Sequence, residues 1–252
     1  DELTSVLMEA INTILSQNMT YTAPVVPVTK TMSGNKIYLA FFKPLEGNFW
    51  EGNIVKLGMD ANLEVIGSDG LPATWPNGAM RDDAQYYWST KQWADISAPN
   101  GIANGSRNIY TYLGGNKILS ADPTNEFTTD NDDLTAAVLG NPTHTTAEII
   151  NYIRGADVFD EDANLDITEN REVITGDVLH SQPLVIQYPY SDDSLKSMVF
   201  FGSNDGMLHA VLDSIDSDIN DPNNAISHFG TEAWAFISPD HLPRLKDIVE
   251  GT

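Results

Sequence analysis

The densest group of oxygen-bearing side chains in the sequence lies in one acidic stretch, residues 157–172. Within it, such a side chain recurs at every second position, at Asp160, Asp162, Asn164 and Asp166. This spacing lets a tightly curled loop direct successive side chains at one centre, and Ca²⁺ takes six to eight oxygen ligands at roughly 2.4 Å. The stretch therefore predicts a calcium site.

The spacing imitates the start of an EF-hand loop but departs from it at two positions. Leu165 stands where the sharp turn of that loop requires glycine, and Arg171 stands where the bidentate glutamate belongs. We expect other acids to complete the shell, with Asp157, Glu169 and Glu172 as the candidates. The alternative is a solvated acidic loop at the end of a helix, with no bound metal.

A second acidic stretch, residues 213–224, interrupts a run of predicted strands. Asp216, Asp218 and Asn220 repeat the alternate spacing, but no carboxylate follows at a range that would complete a metal shell. This stretch therefore predicts a solvated insertion rather than a second metal site.

The histidines and glycines do not form a recognisable catalytic pattern. His180 and His209 lie on predicted neighbouring strands, where each is expected to anchor backbone or turn through hydrogen bonds. The sequence has no Gly-x-Ser-x-Gly elbow, no phosphate-binding glycine loop and no dinucleotide fingerprint. The sequence predicts a protein without enzymatic activity.

Composition limits the classes of partner. The chain has 252 residues, with 36 Asp and Glu against 13 Lys and Arg, and a formal net charge of −23. Such a surface repels the phosphates of nucleic acids and of anionic membranes. No run approaches the roughly 20 apolar residues of a membrane span, so membrane insertion is not expected. The absence of cysteine excludes disulfides and thiolate chemistry.

The stretch from residue 174 to 237 contains three apolar runs separated by turn residues, a pattern that predicts consecutive antiparallel strands. Residues 198–201 and 207–212 flank the turn GSNDG, whose Gly, Asn and Asp residues suit a hairpin. A third run, GTEAWAFI, follows at 230–237. Strand, turn, strand and a third strand bearing tryptophan is the layout of one propeller blade.

The rest of the chain divides into a leader and further strands. Residues 1–22 predict an amphipathic helix and linker, and residues 23–252 a partial β-propeller domain. Earlier strands are expected at 35–42, 50–57 and 63–66, and a short hairpin from 107–113 and 117–121. Helices are expected at 130–139 and 145–154, the second opened by a capping box of Thr145 and Glu148, which gives a helical insertion near 130–155.

Several segments together resemble the C-terminal domain of the PilY family of type IV pilus proteins. They are RGADVFDEDANLD, TGDVLHSQPLVI, VFFGSNDGMLHAVLD and GTEAWAFISPDHLPRLKDI, preceded by IYLAFFKP and RNIYTY, and they span most of residues 23–250. The resemblance implies a modified β-propeller of antiparallel sheets, quinoprotein-like in architecture. Because such rings typically need at least four blades, we expect this chain to be a fragment with an incomplete ring.

The resemblance also implies a function and a location. It implies a non-enzymatic, calcium-responsive module at the pilus tip, extracellular and outer-membrane associated, that promotes pilus assembly, counteracts retraction and mediates surface attachment. Its partners would be pilins, minor pilins and a ligand on a host or abiotic surface.

Two alternatives stay open beside the pilus module. One is a quinoprotein dehydrogenase that uses pyrroloquinoline quinone, which would need an assembled central cofactor pocket. The other is a metal-free scaffold for protein–protein interaction, whose exposed sheet edges pair with another chain.

Overall fold

The computed structural model describes residues 23–25, 36–43, 50–76, 78–103, 106–191, 194–216 and 226–250. These residues form a mainly β structure with two five-stranded sheets and few helices, as the sequence predicts. No closed barrel or propeller ring is found within the described ranges, so the propeller stays a prediction. The predicted helix and linker at 1–22 lies outside the described residues.

The first sheet contains the three strands expected from the first third of the chain and two short strands that the sequence did not predict. Its members are β1 (Ala23–Val25), β2 (Lys36–Lys43), β3 (Glu51–Met59), β4 (Val65–Ile66) and β5 (Trp88–Ser89). They are ordered β1-β2-β3-β4, with β5 also paired to β3, and every pairing is antiparallel. Alternate residues of β2 enter two different cores, because successive side chains of a strand point to opposite faces.

The second sheet contains the antiparallel strands predicted between residues 174 and 237. Its members are β6 (Ile109–Tyr110), β7 (Leu184–Ser191), β8 (Ser194–Gly202), β9 (Met207–Asp216) and β10 (Ile226–Ile237), in the order β6-β10-β9-β8-β7. The strands β7 to β10 form an antiparallel meander, and β8 and β9 are joined by the predicted turn. Gly206 in that turn has φ 84°, a conformation that glycine adopts without steric cost.

Helices occupy little of the described chain. They are α1 (Thr146–Ile153), α2 (Leu245–Glu250) and the short 3-10 helices Thr90–Trp93, Leu119–Ala121, Pro123–Asn125 and Leu242–Arg244. The capping box predicted for α1 is confirmed, with Thr145 and Glu148 each accepting from the backbone amide of the other. None of the helices in the described ranges is long and apolar enough to cross a membrane.

The helix expected at 130–139 was wrong, because these residues form turns. Asn131 accounts for the difference: its side-chain amide donates to the carbonyls of Thr124 and Glu126 at 2.9 and 2.7 Å, and its Oδ1 accepts from the Asp133 amide at 3.1 Å. Asn and Asp side chains that bond the local backbone in this way compete with helix formation.

The hairpin expected between 107 and 121 was also wrong. Residues 109–110 form β6 instead and pair in parallel with β10, where Ile109 lies opposite Ala235. Ile109 is buried in the core shared with α1, so burial against a distant strand replaces the local pairing.

The two sheets are joined through a buried carboxylate, Asp213 of β9. It accepts hydrogen bonds from the Tyr38 hydroxyl at 2.7 Å, the Lys56 ammonium at 2.8 Å and the Trp88 indole at 2.7 Å. All three donors belong to the first sheet, and Asp213 is fully buried. The expectation that the solvated insertion begins at residue 213 was therefore wrong, because β9 continues to Asp216 and buries both acids.

Gly230 lets the sheets approach at a second point. It lies at a register irregularity of β10 with φ 68°, and a Cβ atom there would lie 2.5 Å from Cγ of Trp88. Its carbonyl accepts from the indole of Trp93 at 2.8 Å and from the side chain of Asn100 at 3.1 Å. Glycine is thus required by the contact and by the backbone conformation.

Candidate functional site

The acidic loop, residues 157–172, begins just after α1 and is closed by backbone hydrogen bonds between its two ends. The Asp157 amide donates to the Glu169 carbonyl and the Arg171 amide donates to the Gly155 carbonyl, both at 2.9 Å. These bonds hold the start and the end of the loop side by side. Carboxylates distant in sequence can therefore face one another.

Three of the predicted ligands do converge. One carboxylate oxygen each from Asp157, Asp162 and Glu169 lies within 4.8 Å of the others. Asp157 is buried, Glu169 is half-buried and Asp162 is exposed, so the cluster has a buried side and an open side. The cluster could hold a metal ion, and an all-oxygen set suits hard cations.

Asp160 and Asp166 lie outside this cluster, although the alternate spacing placed them in the ligand set. Each is used in a local turn: Asp160 Oδ1 accepts from the Leu165 amide at 2.9 Å, and Asp166 Oδ1 accepts from the Thr168 amide at 2.8 Å. Donation from the Thr168 hydroxyl and amide lowers the pKa of Asp166. These carboxylates shape the loop from outside the three-acid group.

Asn164 contacts the cluster directly. Its side-chain amide donates to Asp162 Oδ2 at 3.0 Å and also to the carboxylate of Glu169. Leu165, the next residue, has φ 72° and thus makes the left-handed turn for which an EF-hand loop uses glycine. Leucine therefore replaces the glycine of an EF-hand loop at this position, but the backbone still makes the same left-handed turn.

The loop is fastened to α1 by Tyr152. Its hydroxyl donates to Glu161 Oε1 at 2.7 Å, and the guanidinium of Arg171 lies 3.9 Å from the centre of its ring. Burial raises the pKa of Tyr152 to about 12, against the opposing charge of Arg171. The hydroxyl therefore stays protonated as a donor, and the cation–π contact adds to the attachment.

A second group of chemistry-bearing residues lies around the β8–β9 turn. Ser203 Oγ is 2.9 Å from His209 Nε2, and His209 Nδ1 is 2.8 Å from Glu232 Oε1. Glu232 also accepts from Nε and Nη2 of Arg107 at 2.6 and 2.7 Å. A serine, a histidine and a carboxylate in this order form the relation used in nucleophilic catalysis.

Asp205 removes the base that such catalysis requires. It lies 3.0 Å from His209 Nε2 and accepts from Ser203 Oγ at 2.5 Å. Burial alone would lower the pKa of His209, but the charge of Asp205 and then the bond to Glu232 raise it to about 9. An imidazolium cannot accept a proton at neutral pH, so the group fastens the turn to β10, in agreement with the anchoring role predicted for His209.

The sequence carries almost no signal for this buried network. Arg107 and Glu232 are 125 residues apart, and only the spacing of Asp205 and His209 within one hairpin hints at a contact. Arg107 and Glu232 are brought together by the parallel pairing of β6 with β10, which the sequence does not predict.

A cleft of about 320 Å³ opens beside the same turn. Its walls come from the loop before β7, the β8–β9 turn and the segment after β10, and they include Asp177, His180 and His241. His180, predicted as a strand anchor, is exposed in this loop, and no described residue makes a hydrogen bond with its imidazole. The cleft lies within the size range of small-ligand sites.

Comparisons with family models, with curated proteins and with solved structures found no match to this chain. The class of protein therefore follows from the fold and the sites alone: a mainly β chain with a three-acid cluster and a separate polar cleft.

Proposed function

We propose that this chain is a calcium-responsive, non-enzymatic module of a type IV pilus tip, where it promotes pilus assembly, counteracts retraction and mediates attachment. In this proposal it lies at the cell surface, contacts pilins or minor pilins, and forms part of a quinoprotein-like propeller. Support for the family comes from the segments TGDVLHSQPLVI and VFFGSNDGMLHAVLD, which form β7 to β9 and the connections before and between them.

The observation that carries the calcium response is the convergence of Asp157, Asp162 and Glu169 within 4.8 Å. Three like charges so close repel one another, and a bound Ca²⁺ would relieve that repulsion while drawing the loop together. Because Tyr152 fastens the loop to α1, a bound Ca²⁺ would stabilise a segment that lies next to the core. A non-enzymatic role is supported by His209, whose raised pKa leaves no free base beside Ser203.

A metal-free interaction scaffold is a second candidate, favoured by strand β7. This strand forms one edge of the second sheet in the described part of the chain. It exposes Leu184, Tyr188 and Tyr190 on or beside that edge. An edge with exposed aromatic residues can pair with a strand of another chain.

The test uses a strain of the source organism from which the gene for this protein has been deleted. The strain is complemented either with the wild-type gene or with a triple variant that combines Asp157→Asn, Asp162→Asn and Glu169→Gln. We expect the triple variant to reduce surface pili and attachment several-fold, and to abolish the response to calcium chelation, because the carboxylate ligands are lost. Electron microscopy and an adhesion assay measure the outcome.

The matched control neutralises three exposed acids outside the loop, Asp69→Asn, Asp132→Asn and Asp240→Asn, so that the net charge changes equally. Normal piliation in both triple variants, with adhesion intact, would favour the metal-free scaffold. Normal piliation and adhesion in the deletion strain itself would refute the pilus proposal.

A further inference from the structure

We propose that the cleft beside the β8–β9 turn binds the ammonium group of a lysine side chain presented by a protein partner. The site is separate from the acidic loop and goes beyond the proposed function, since it involves no calcium. It is defined by one juxtaposition: a buried carboxylate, Asp177, lies in a cleft with an apolar wall.

Three of the deeply buried carboxylates lie beside a positively charged side chain. Asp213 pairs with Lys56 at 2.8 Å, Glu232 with Arg107 at 2.6 Å and Asp205 with His209 at 3.0 Å. Asp216 makes no ion pair with a described residue, and burial raises the pKa of its carboxyl group. Burial of a charge is costly unless an opposite charge accompanies it, so these pairings are expected.

Two further buried carboxylates also lack an ion pair with a described residue. For Asp157 and Asp177, each no more than 3% exposed, the described residues provide no ion pair. Asp157 belongs to the three-acid cluster, where a metal ion fits. Asp177 lies outside that cluster and lines the cleft, where a cation carried by a ligand can reach it.

The surroundings of Asp177 hold it in place and leave part of it available. Its Oδ1 accepts from the side chain of Asn204 at 2.7 Å, and its carbonyl accepts from the Asn204 amide at 2.9 Å. No described residue donates to its second carboxylate oxygen. The Gly52 amide donates to the Thr175 carbonyl at 2.9 Å and so ties this segment to the first sheet. The acceptor is thus rigidly positioned.

The remaining walls suit an alkyl chain that ends in an ammonium group. Leu208 and Phe236 supply apolar surface for the stem, and Ser238 lies on the same cleft as a hydroxyl acceptor. Lysine buries its stem along apolar surface while its head makes polar contacts. No Lys or Arg lines the cleft, so a cation meets no competing positive side chain of those types.

Other ligand classes fit less well. A guanidinium binds carboxylates through a two-bond fork, which at Asp177 would have to share Oδ1 with the Asn204 side chain, whereas an ammonium can bind the second oxygen alone. An anion would be repelled by Asp177 and by a chain of net charge −23, whereas the same field attracts a cationic partner. A compact ammonium needs only the single free oxygen.

The experiment titrates Nα-acetyl-lysine methylamide into the full 252-residue chain in EDTA and follows the Asn204 side-chain amide by NMR. We expect saturable binding in the millimolar range. The Nε-acetylated form of the probe, which keeps the stem but lacks the charge, should bind at least about tenfold more weakly, as expected for loss of one member of a charge pair. Equal binding of the two probes, equal binding of the arginine analogue, or no binding would overturn the proposal.

The matched variants are Asp177→Asn and Asp69→Asn. Both remove one charge and keep an acceptor oxygen, for Asn204 in the first and for the Leu71 amide in the second. Asp177→Asn should weaken lysine binding at least about tenfold, and Asp69→Asn by less than about twofold. An equal loss of lysine affinity in both variants would overturn the proposed site, because it would show that the probe responds only to the net negative charge of the chain. EDTA keeps the outcome independent of whether the acidic loop binds calcium.

Discussion

The buried network around His209 and the acidic loop use the same residue types in opposite electrostatic settings. In the network, Glu232 faces Arg107 at 2.6 Å and His209 at 2.8 Å, so positive and negative groups alternate within the molecule. In the loop, Asp157, Asp162 and Glu169 are directed at one another within 4.8 Å. The first arrangement is electrostatically complete, and the second gains from a cation supplied by the solvent.

This difference indicates that the chain's own charges should control the stability of the network, whereas an added ion should control the stability of the loop. Removing one member of the network leaves a buried charge without its partner, which is a large penalty. Removing one acid from the loop relieves repulsion near the surface, where charge interactions are weak and screened. Perturbations of the two regions should therefore differ in size, in pH dependence and in their response to calcium.

The largest effect is expected from Arg107→Met. The variant leaves Glu232 buried without its bidentate partner and should lower the free energy of unfolding by about 3–5 kcal/mol, measured by urea denaturation at pH 7. Arg107→Lys, which keeps the charge but loses the two-bond geometry, should fall between the variant and the wild type. If Arg107→Met does not fold, the free energy of unfolding of Arg107→Lys still tests the prediction.

The control is Arg81→Met, which removes a bidentate pair of similar geometry, at 2.9 and 3.0 Å from Asp83, but on the surface. We expect its denaturation midpoint to stay close to that of the wild type, because exposed pairs contribute little. If both variants were destabilised equally, burial would not be what separates these sites.

A smaller effect is expected from alkaline pH through His209. Its pKa is raised from 6.5 to about 9 in the folded chain, since the attraction of Asp205 outweighs burial. The stabilisation is fully present below pH 6.5, declines as the pH rises, and is lost once it passes about 9. The loss should be on the order of 3 kcal/mol.

The measurement compares unfolding free energies of the wild type and His209→Gln between pH 6.5 and 10. The variant should be less stable at pH 6.5, and the gap should narrow as the pH rises, because only the wild type loses a buried imidazolium. Parallel curves for the two proteins would show that His209 does not titrate in this range.

Local sequence signals predicted the parts of the fold that depend on neighbouring residues. The β8–β9 hairpin follows from apolar runs around GSNDG, and the start of α1 follows from Thr145 and Glu148. Where a competing local bond or a distant strand decides the structure, the sequence was misleading. Asn131 bonds to carbonyls and prevents a helix, and Ile109 pairs with β10 rather than with the next segment.

The metal cluster was half predictable for the same reason. The alternate spacing identified the loop, and Asp162 belongs to the cluster. Spacing alone could not separate Asp162 from Asp160, because both accept local backbone amides and only the folded path of the loop brings Asp162 beside Asp157 and Glu169. Asp157 and Glu169 depend on the backbone closure of the loop, and Asp213 shows that an acid in a polar stretch can be the buried centre of two sheets.

The smallest effect, and the sharpest test of the comparison, is the calcium response of the loop. At a Ca²⁺ concentration ten times the dissociation constant, binding should stabilise the wild type by about 1.4 kcal/mol relative to EDTA. Urea denaturation at pH 7 in the two buffers measures this difference. Arg107→Met should show the same calcium increment as the wild type if it folds, because the network and the loop are separate.

Two loop variants decide which carboxylates bind the ion. Asp162→Asn and Asp166→Asn remove the same charge and keep the oxygen that accepts the Asn164 or Thr168 amide. The geometry predicts that Asp162→Asn abolishes most of the increment and Asp166→Asn retains most of it. In EDTA, Asp162→Asn should be no less stable than the wild type, because it relieves repulsion within the cluster. If Asp166→Asn were instead the damaging change, the alternate spacing would describe the ligands better than the three-acid cluster does, and calcium would have to rearrange the loop when it binds.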